Sequence, residues 1–521
     1  MLPFSLEARE DQRRAARETT FDVVVIGAGI NGAGAARDLA LRGLSVAVVD
    51  RGDVGGGTSS CSSRLIHGGL RYLEYYNFGL VAESTAYRWR LMKLAPHLVT
   101  PLPFLFPIYK GDKNPRWLIR MGVAIYGMLS LGRKAGPTRG LSPDRTLEAE
   151  PGLRRDGLTG GVEYHDCATD DGRLTLETLM DAHEAGAAVF PRTEVVGGLA
   201  KGDRLDGLAV KDLLDGEEWE LKARVVVNAA GPWADGVHEL LLPGRIPRWL
   251  RPTKGVHLVF STTRLSVSRA VTMIVKEDGR PVFVIPWGNM VYVGTTDTDV
   301  ADPEARLDTT QEDVDYLLRT TNRYFPDAHL TPADIMSTWE GLRPLVWEEG
   351  AEIAADVSRE ERIEAPAPNL ITVAGGKLTT YLLMARKTAN LAARILGRDH
   401  GISVPRSQAV KTALGPARPG DLTAAKAAAV VRARELSLSV DAEALAERRG
   451  FTAIALLDLM KNDPSLAEPC VEGLPWLRAE LRYAVDHEYA CTAEDLLVRR
   501  TILHYQGPDH GAGVDLSGFL P

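Results

Sequence analysis

FDVVVIGAGINGAGAARDLALRGLSVAVVD, residues 21–50, opens on a continuous apolar run, breaks into closely spaced glycines, continues as a small-residue helical pattern and closes on a second apolar run. An apolar run without alternation suits a strand buried on both faces, so the order reads as strand, turn, helix and parallel strand. Gly27, Gly29 and Gly32 form G-x-G-x-x-G at the turn, with Asn31 inside it. The first glycine permits the tight turn, the second lets backbone approach a pyrophosphate at the positive helix end, and the third lets helix and strand pack closely. Gly43 is placed to end the helix, and Asp50 closes the second strand where an acid can accept from ribose hydroxyls. A glycine-rich turn with no ligand is the plainer alternative. Strand, glycines, helix, strand and acid all fall in register, which favours a dinucleotide without choosing between NAD and FAD.

Working outward, RVVVNAAGPW (224–233) is a second strand running into a small-residue turn at Ala230 and Gly231, suited to close approach to the first unit. VVGGLA, LDGLAVKD and EWELKA before it read as an antiparallel meander. Between Arg251 and Thr296, KGVHLVF, VTMIVK, PVFVIPW and MVYVGTT are strands joined by Asp278-Gly279 and Gly288-Asn289 turns. Thr309 with Glu312 then predicts a capping box opening a helix to Phe325. NLITVAG leads into Gly375-Gly376-Lys377-Leu378-Thr379-Thr380-Tyr381, the predicted start of a late helix. Beyond residue 405 the chain is Ala-, Glu- and Arg-rich with helical periodicity. The expected class is α/β: a Rossmann-type dinucleotide-binding domain from 21–100, 150–250 and 365–400, an antiparallel-sheet substrate domain from 101–149 and 251–364, and a C-terminal helical domain over 405–521, after an N-terminal extension over 1–20.

The 521 residues carry 61 Lys+Arg and 69 Asp+Glu, a net charge of −8, so general attraction to nucleic acid is disfavoured. Cys61, Cys167, Cys470 and Cys491 have no C-x-x-C spacing, which argues against a disulfide framework, a zinc site or an iron–sulfur cluster and fits a reducing compartment. The first twenty residues lack an apolar core and read as neither signal nor transit peptide. Met121–Leu131 is far shorter than the roughly 20 residues a membrane-spanning helix needs.

The run TSSCSSRLIHGGLRYLE (58–74) resembles the FAD-dependent glycerol-3-phosphate dehydrogenases. VEYHDCATDDGRL (162–174), VVVNAAGPWAD (225–235), TKGVHL (253–258), VFVIPW (282–287), VGTTDTD (293–299), GLRPL (341–345), GGKLTTY (375–381) and AVDHEYACTAEDLLVRRT (484–501) are similar to that family's pattern in its order. Asp50 stands where the family more often has Glu, and Val256 where a small polar residue is common. There is no D-x-[DN]-x-[DN]-G calcium loop, and no metal is expected. The resemblance implies FAD as cofactor and oxidation of sn-glycerol 3-phosphate to dihydroxyacetone phosphate, with electrons passing to a quinone.

Such chemistry needs a cation cluster for the phosphate, a base for the hydroxyl proton and positive charge near reduced flavin. For the phosphate the candidates are Arg343, assisted by Arg71, Tyr72 and Lys377, with Arg359 weaker; guanidinium pairs bonds to phosphate oxygens and lysine adds a movable charge. His67 and His257 are the candidate bases, since imidazole titrates near neutrality, and His67, in IHGGLRY, has the more open setting. Lys377 is grouped with them as a catalytic candidate. Thr58, Ser59, Ser62, Ser63, His67, Gly68, Gly69, Gly375, Gly376, Leu378 and Thr379 join the turn residues as cofactor contacts. The helix opening near Leu378 would stabilise reduced flavin if aimed at it.

Between Lys110 and Arg139 seven basic residues face one acid, a local charge of +6, interleaved with Trp117, Leu118, Ile119, Ile125, Tyr126, Met128 and Leu129. That composition suits a segment lying on an anionic bilayer, the alternative being a core helix with solvated basic flanks. With the family resemblance it implies a cytoplasmic protein held peripherally on the membrane face; a homodimer is left open. The rivals are an oxidase passing the same electrons to oxygen, an amine or imino-acid oxidase on the same plan, and a non-catalytic flavin-binding partner.

Overall fold

A computed structural model describes residues 3–69, 77–112, 116–130, 132–347, 361–415, 421–507 and 509–520. Among these residues the first sheet has eight strands, with Glu361–Ala367, Leu370–Gly375, Glu218–Asn228, Thr20–Ile26, Val46–Val49 and Ala188–Phe190 side by side. Thr20–Ile26 pairs in parallel with both Val46–Val49 and Glu218–Asn228, so Ile26, Val49 and Asn228 end at one edge. Strand alternation sends Val23 and Val25 into the core beneath the helices Ile30–Ala40, Asp171–Glu184 and Tyr381–His400, and Val24 and Ile26 into the core under the meander. Both faces are covered, which explains the unbroken valines. The meander is present as Thr193–Lys201, Arg204–Asp212 and Glu218–Asn228.

Among the described residues the second sheet has ten strands. Leu250–Ser261 lies between Met290–Gly294 and Ile335–Val346, and Thr298–Asp299 pairs with its start. The antiparallel strands expected between Arg251 and Thr296 are there, Ala270–Ile274, Pro281–Trp287 and Met290–Gly294 pairing in sequence while Leu250–Ser261 lies beside the last of them. But Leu158–Thr169, which the sequence reading grouped with the cofactor segments, pairs along its length with Val99–Tyr109 in this sheet, and Leu65–Ile66 joins its edge. Val256, Leu258 and Phe260 face the helix Gln311–Tyr324, which packs Val314, Leu317 and Leu318 against them. His257 therefore faces the other way, toward Ser63. The helix is capped one residue later than the sequence suggested, by Thr310 with Asp313 in place of Thr309 with Glu312. Lys254 decides this: its Nζ donates to Asp313 Oδ2 at 2.6 Å and to the Asp308 carbonyl at 2.9 Å. Helices Leu422–Glu435, Ala442–Arg449, Thr452–Asn462 and Arg478–His487 form the C-terminal domain, followed by the π-helical turn Asp495–Arg500 and the short helix Leu503–Gln506.

Candidate active site at the glycine edge

The nucleotide side of the site is built from backbone crowding. Gly27 has φ +104°, and a Cβ there would lie 2.5 Å from the Ala229 carbonyl oxygen; a Cβ on Gly32 would lie 1.9 Å from the Gly27 carbonyl oxygen. Only glycine fits either place. Gly29 caps the helix Ile30–Ala40 without a side chain, no acid sits in its first turn, and half-buried Asn31 lies in that turn. The positive helix end is thus left to an anion. Asp50 accepts from the amides of Ala28 at 2.6 Å and Gly52 at 2.7 Å, and desolvation raises its pKa. Ala230 and Gly231 form the facing turn, with the Ala230 amide donating to Asn228 Oδ1 at 3.2 Å. Cleft, helix end and acid all fit a dinucleotide.

The serine-rich loop 58–64 is tied down by its own hydroxyls. Ser59 Oγ accepts from the Ile30 amide at 2.9 Å, Thr58 Oγ1 donates to the Leu342 carbonyl at 2.6 Å, and Ser62 Oγ accepts from the Arg64 amide at 3.0 Å. Ser63 Oγ lies 2.9 Å from His257 Nε2. The loop therefore joins the cofactor helix to the substrate sheet. His67 exchanges two bonds with Thr379: its amide donates to Oγ1 at 2.9 Å and its carbonyl accepts from the hydroxyl at 3.0 Å. The Gly68 amide donates to Tyr126 Oη at 2.9 Å and Asp166 Oδ1 at 3.1 Å, and Arg88 closes this buried group against both partners. Gly69, Gly375 and Gly376 have left-handed backbone. A 3₁₀ turn, Leu378–Thr380, intervenes before the helix Tyr381–His400, so the helix proper begins three residues after Leu378. Lys377 stands at that turn; its charge and that of Lys387 draw down a Glu83 carboxyl that burial and Glu361 push up.

On the substrate side the register of Leu250–Ser261 with Ile335–Val346 sets Thr253 opposite Arg343 and His257 opposite Trp339. Positions 253, 255 and 257 share a face, and a Cβ on Gly255 would lie 2.6 Å from Arg343 Nη2, so the guanidinium crosses over Gly255 beside His257. Arg343 donates to Asp297 Oδ1 at 2.7 Å, Thr295 Oγ1 at 3.0 Å and the Thr296 carbonyl at 3.1 Å. His257 stacks face to face on Trp339, with centroids 4.5 Å apart and an interplanar angle of 13°. Burial first, then the cations Arg343 and Arg64, holds its imidazole well below the ordinary value, so it stays neutral at working pH.

The structure brings His257, Arg343 and Ser63 together. Lys254, three positions from His257, faces the opposite side and binds the helix cap. Arg71, Tyr72 and Arg359 lie outside the described residues. Sequence reasoning missed the Ser63–His257 pair, the Trp339 stack, Asp297 as the partner of Arg343, and the Arg88–Tyr126–Asp166 group beneath Gly68. Among the described residues no cluster of acids, histidines and cysteines is arranged to hold a metal.

The family model "FAD dependent oxidoreductase" matches residues 22–391, and "C-terminal domain of alpha-glycerophosphate oxidase" matches 419–514. The chain is 36% identical over 509 residues to the aerobic glycerol-3-phosphate dehydrogenase of Staphylococcus epidermidis, covering 96% of this chain and 90% of that one. It is equally identical over 506 residues to that of Staphylococcus aureus, with the same coverage. The glycerol-3-phosphate dehydrogenase of Bacillus halodurans, solved with FAD, superposes with a TM-score of 0.79 at 31% identity, over 96% of this chain and 90% of that one. The FAD-bound L-alpha-glycerophosphate oxidase of Mycoplasma pneumoniae, at 19% identity and a TM-score of 0.57, shares the fold over 75% of this chain and 97% of that one.

Proposed function

The chain belongs to the aerobic glycerol-3-phosphate dehydrogenase family of FAD-dependent oxidoreductases, and from that premise we propose that it oxidises sn-glycerol 3-phosphate at C2 to dihydroxyacetone phosphate and delivers the electrons to a membrane quinone. The observation that carries the reading is the placement of Arg343 across Gly255 beside a neutral, buried His257. The Gly27–Gly32 turn, Asp50, Ala230, Gly231 and the Gly375–Thr379 turn are the residues that would hold FAD, which supplies a hydride acceptor when bound. Arg343, fixed by Asp297, receives the phosphate with Lys377 assisting. With the ring proton on Nδ1, the Ser63 hydroxyl hands its own proton to His257 Nε2 while its oxygen takes the proton of the C2 hydroxyl, so the proton lost as C2 is oxidised ends on His257. His67, whose backbone Thr379 holds, is assigned to the flavin side. The buried group beneath Gly68 fixes that loop without reacting.

The test is an anaerobic titration of FAD-loaded protein with sn-glycerol 3-phosphate, with glycerol as control. The flavin absorbance is expected to bleach with the phosphate ester alone; no bleaching would remove the reading. Quinone should then restore the colour faster than air, and the reverse order would make the chain an oxidase.

Among the described residues no helix is long and apolar enough to cross a membrane. On the helix Arg116–Leu129, Trp117 is 66% exposed, Met121 46% and Met128 73%, while Val123 and Tyr126 are buried in the core. Tyr126, bonded to Asp166, is thus withdrawn from the expected membrane-facing set. We propose that the exposed three, with the surrounding basic residues, seat the protein on the anionic cytoplasmic leaflet. Replacing all three with serine is expected to lower partitioning onto anionic vesicles about tenfold at low salt without changing soluble flavin reduction. Co-sedimentation checks this, and unchanged binding would assign the surface to something else.

A further inference from the structure

We propose that the C-terminal helical domain is a working part of the catalytic centre: Tyr505 backs the aromatic wall that positions His257. The inference rests on the reading of His257 as the base. Tyr505 is buried on the short helix Leu503–Gln506 and packs on the face of the substrate sheet that carries His257. Its ring lies 5.5 Å from that of Trp339 and 5.8 Å from that of Trp287. Trp339 is the residue opposite His257 in the sheet and the one that stacks on its imidazole. Arg64, buried and with a left-handed backbone (φ +52°), points its guanidinium into the same cluster, 4.5 Å from the Trp287 ring and 5.7 Å from both Trp339 and Tyr505. Three rings thus enclose one cation, and the loop bearing that cation presents Ser63 to His257. Moving any ring moves the surface on which the imidazole lies.

Tyr505 is not needed merely to dock the domain. Arg499 and Arg500 already bind Asp53, and Arg173 binds Glu488, at separate points of the interface. What the Tyr505 ring adds is exclusion of water from behind Trp339. The groups facing His257 are Arg343 on the Ile335–Val346 strand, Arg64 on the serine-rich loop, and the Tyr292 phenol on Met290–Gly294, whose ring lies 6.0 Å away. Arg343 repels a proton whether or not Tyr505 is present, and Arg64 keeps the Trp287 and Trp339 rings without it. Burial is the largest influence on the imidazole, and the Tyr505 ring packed on Trp339 is the C-terminal domain's share of the wall that provides it. Rehydration would let His257 take up a proton nearer its ordinary range. Since only the neutral ring can act as base, the rate would then fall as pH drops through that value.

The experiment measures flavin reduction of the FAD-loaded enzyme by sn-glycerol 3-phosphate from about pH 5.5 to 8.5 in wild type, Tyr505→Phe, Tyr505→Ala and His257→Asn. Ring-nitrogen NMR of the 15N-histidine-labelled proteins accompanies it, with the His257 signal assigned by its loss in His257→Asn. Tyr505→Ala is expected to slow reduction at least about tenfold at the acid end, to change substrate affinity less than about threefold, and to bring the His257 titration into range. Tyr505→Phe, which keeps the ring, should stay within about twofold of wild type at every pH. A Tyr505→Ala profile parallel to wild type with an untitrated His257 signal would overturn the proposal. If Tyr505→Ala does not hold FAD, Tyr505→Leu is measured by the same two readouts. Wild-type rates in His257→Asn would instead overturn the base reading, while the NMR arm still scores the Tyr505 contact directly.

Discussion

Arg343→Ala is expected to lower kcat/KM for sn-glycerol 3-phosphate about a hundred- to a thousandfold, because two charge-assisted bonds to phosphate contribute about 3–4 kcal/mol together. The loss should fall on substrate affinity, since the guanidinium meets a phosphate that does not change in the reaction. A second consequence follows from Asp297. Its carboxylate, 9% exposed, is held 2.7 Å from the Arg343 guanidinium; without that cation it would repel an incoming dianion. Arg343→Lys should therefore recover only part of the affinity: it restores charge but not the fork that spans Asp297, Thr295 and the ligand. Steady-state kinetics with flavin content measured alongside checks this. An alanine variant with wild-type KM and full FAD would place the phosphate elsewhere.

The nucleotide half of this site was legible in the chain because its signals are local. A strand of valines, three glycines and an acid within thirty residues determine turn, helix end and cleft without help from distant segments. The substrate half depends on pairing between segments some eighty residues apart, and Trp339 opposite His257 is a consequence of register that no local pattern carries. Part of it was nonetheless available. Lys254 and His257 differ by an odd number of positions on one strand, so they had to face opposite sides, and burial of Val256, Leu258 and Phe260 decides which. The helix cap slipped by one residue because Thr309/Glu312 and Thr310/Asp313 both satisfy the same spacing; the buried Lys254 selects the second. Leu158–Thr169 changed sheets for a related reason. Leu158–Thr169 is buried along most of its length, so no alternation marks which sheet it joins, and only its long register with Val99–Tyr109 assigns it.

Asp53→Ala should destabilise the protein by about 3–5 kcal/mol, the cost of taking from buried Arg500 the carboxylate that accepts its hydrogen bonds. Asp53 is 2% exposed and accepts from Arg499 Nε at 2.6 Å and from Arg500 Nη1 and Nη2 at 2.7 and 2.8 Å. Arg499 would keep Asp495 and Glu494. Arg500 would keep the Glu488 carbonyl but lose both carboxylate oxygens that close on it. Asp53 also lies three positions beyond Asp50, and its carbonyl accepts from the Gly56 amide at 3.0 Å, so the clamp fixes the loop that carries Thr58 and Ser59 to the cofactor helix. FAD should consequently dissociate at a lower temperature than in wild type, and before the bulk of the helical structure is lost. Heating with flavin fluorescence and far-ultraviolet circular dichroism followed together separates the two events. Glu304→Ala provides the contrast. It breaks an ion pair with Arg51 on the same loop, but both side chains are largely exposed, so the cost should be below about 1 kcal/mol. Equal, small shifts in the two variants would mean that the C-terminal domain rests on the cofactor loop without holding it. A large shift in Asp53→Ala alone, with early release of flavin, would make the arginine clamp the reason this oxidoreductase carries a helical domain against its nucleotide site.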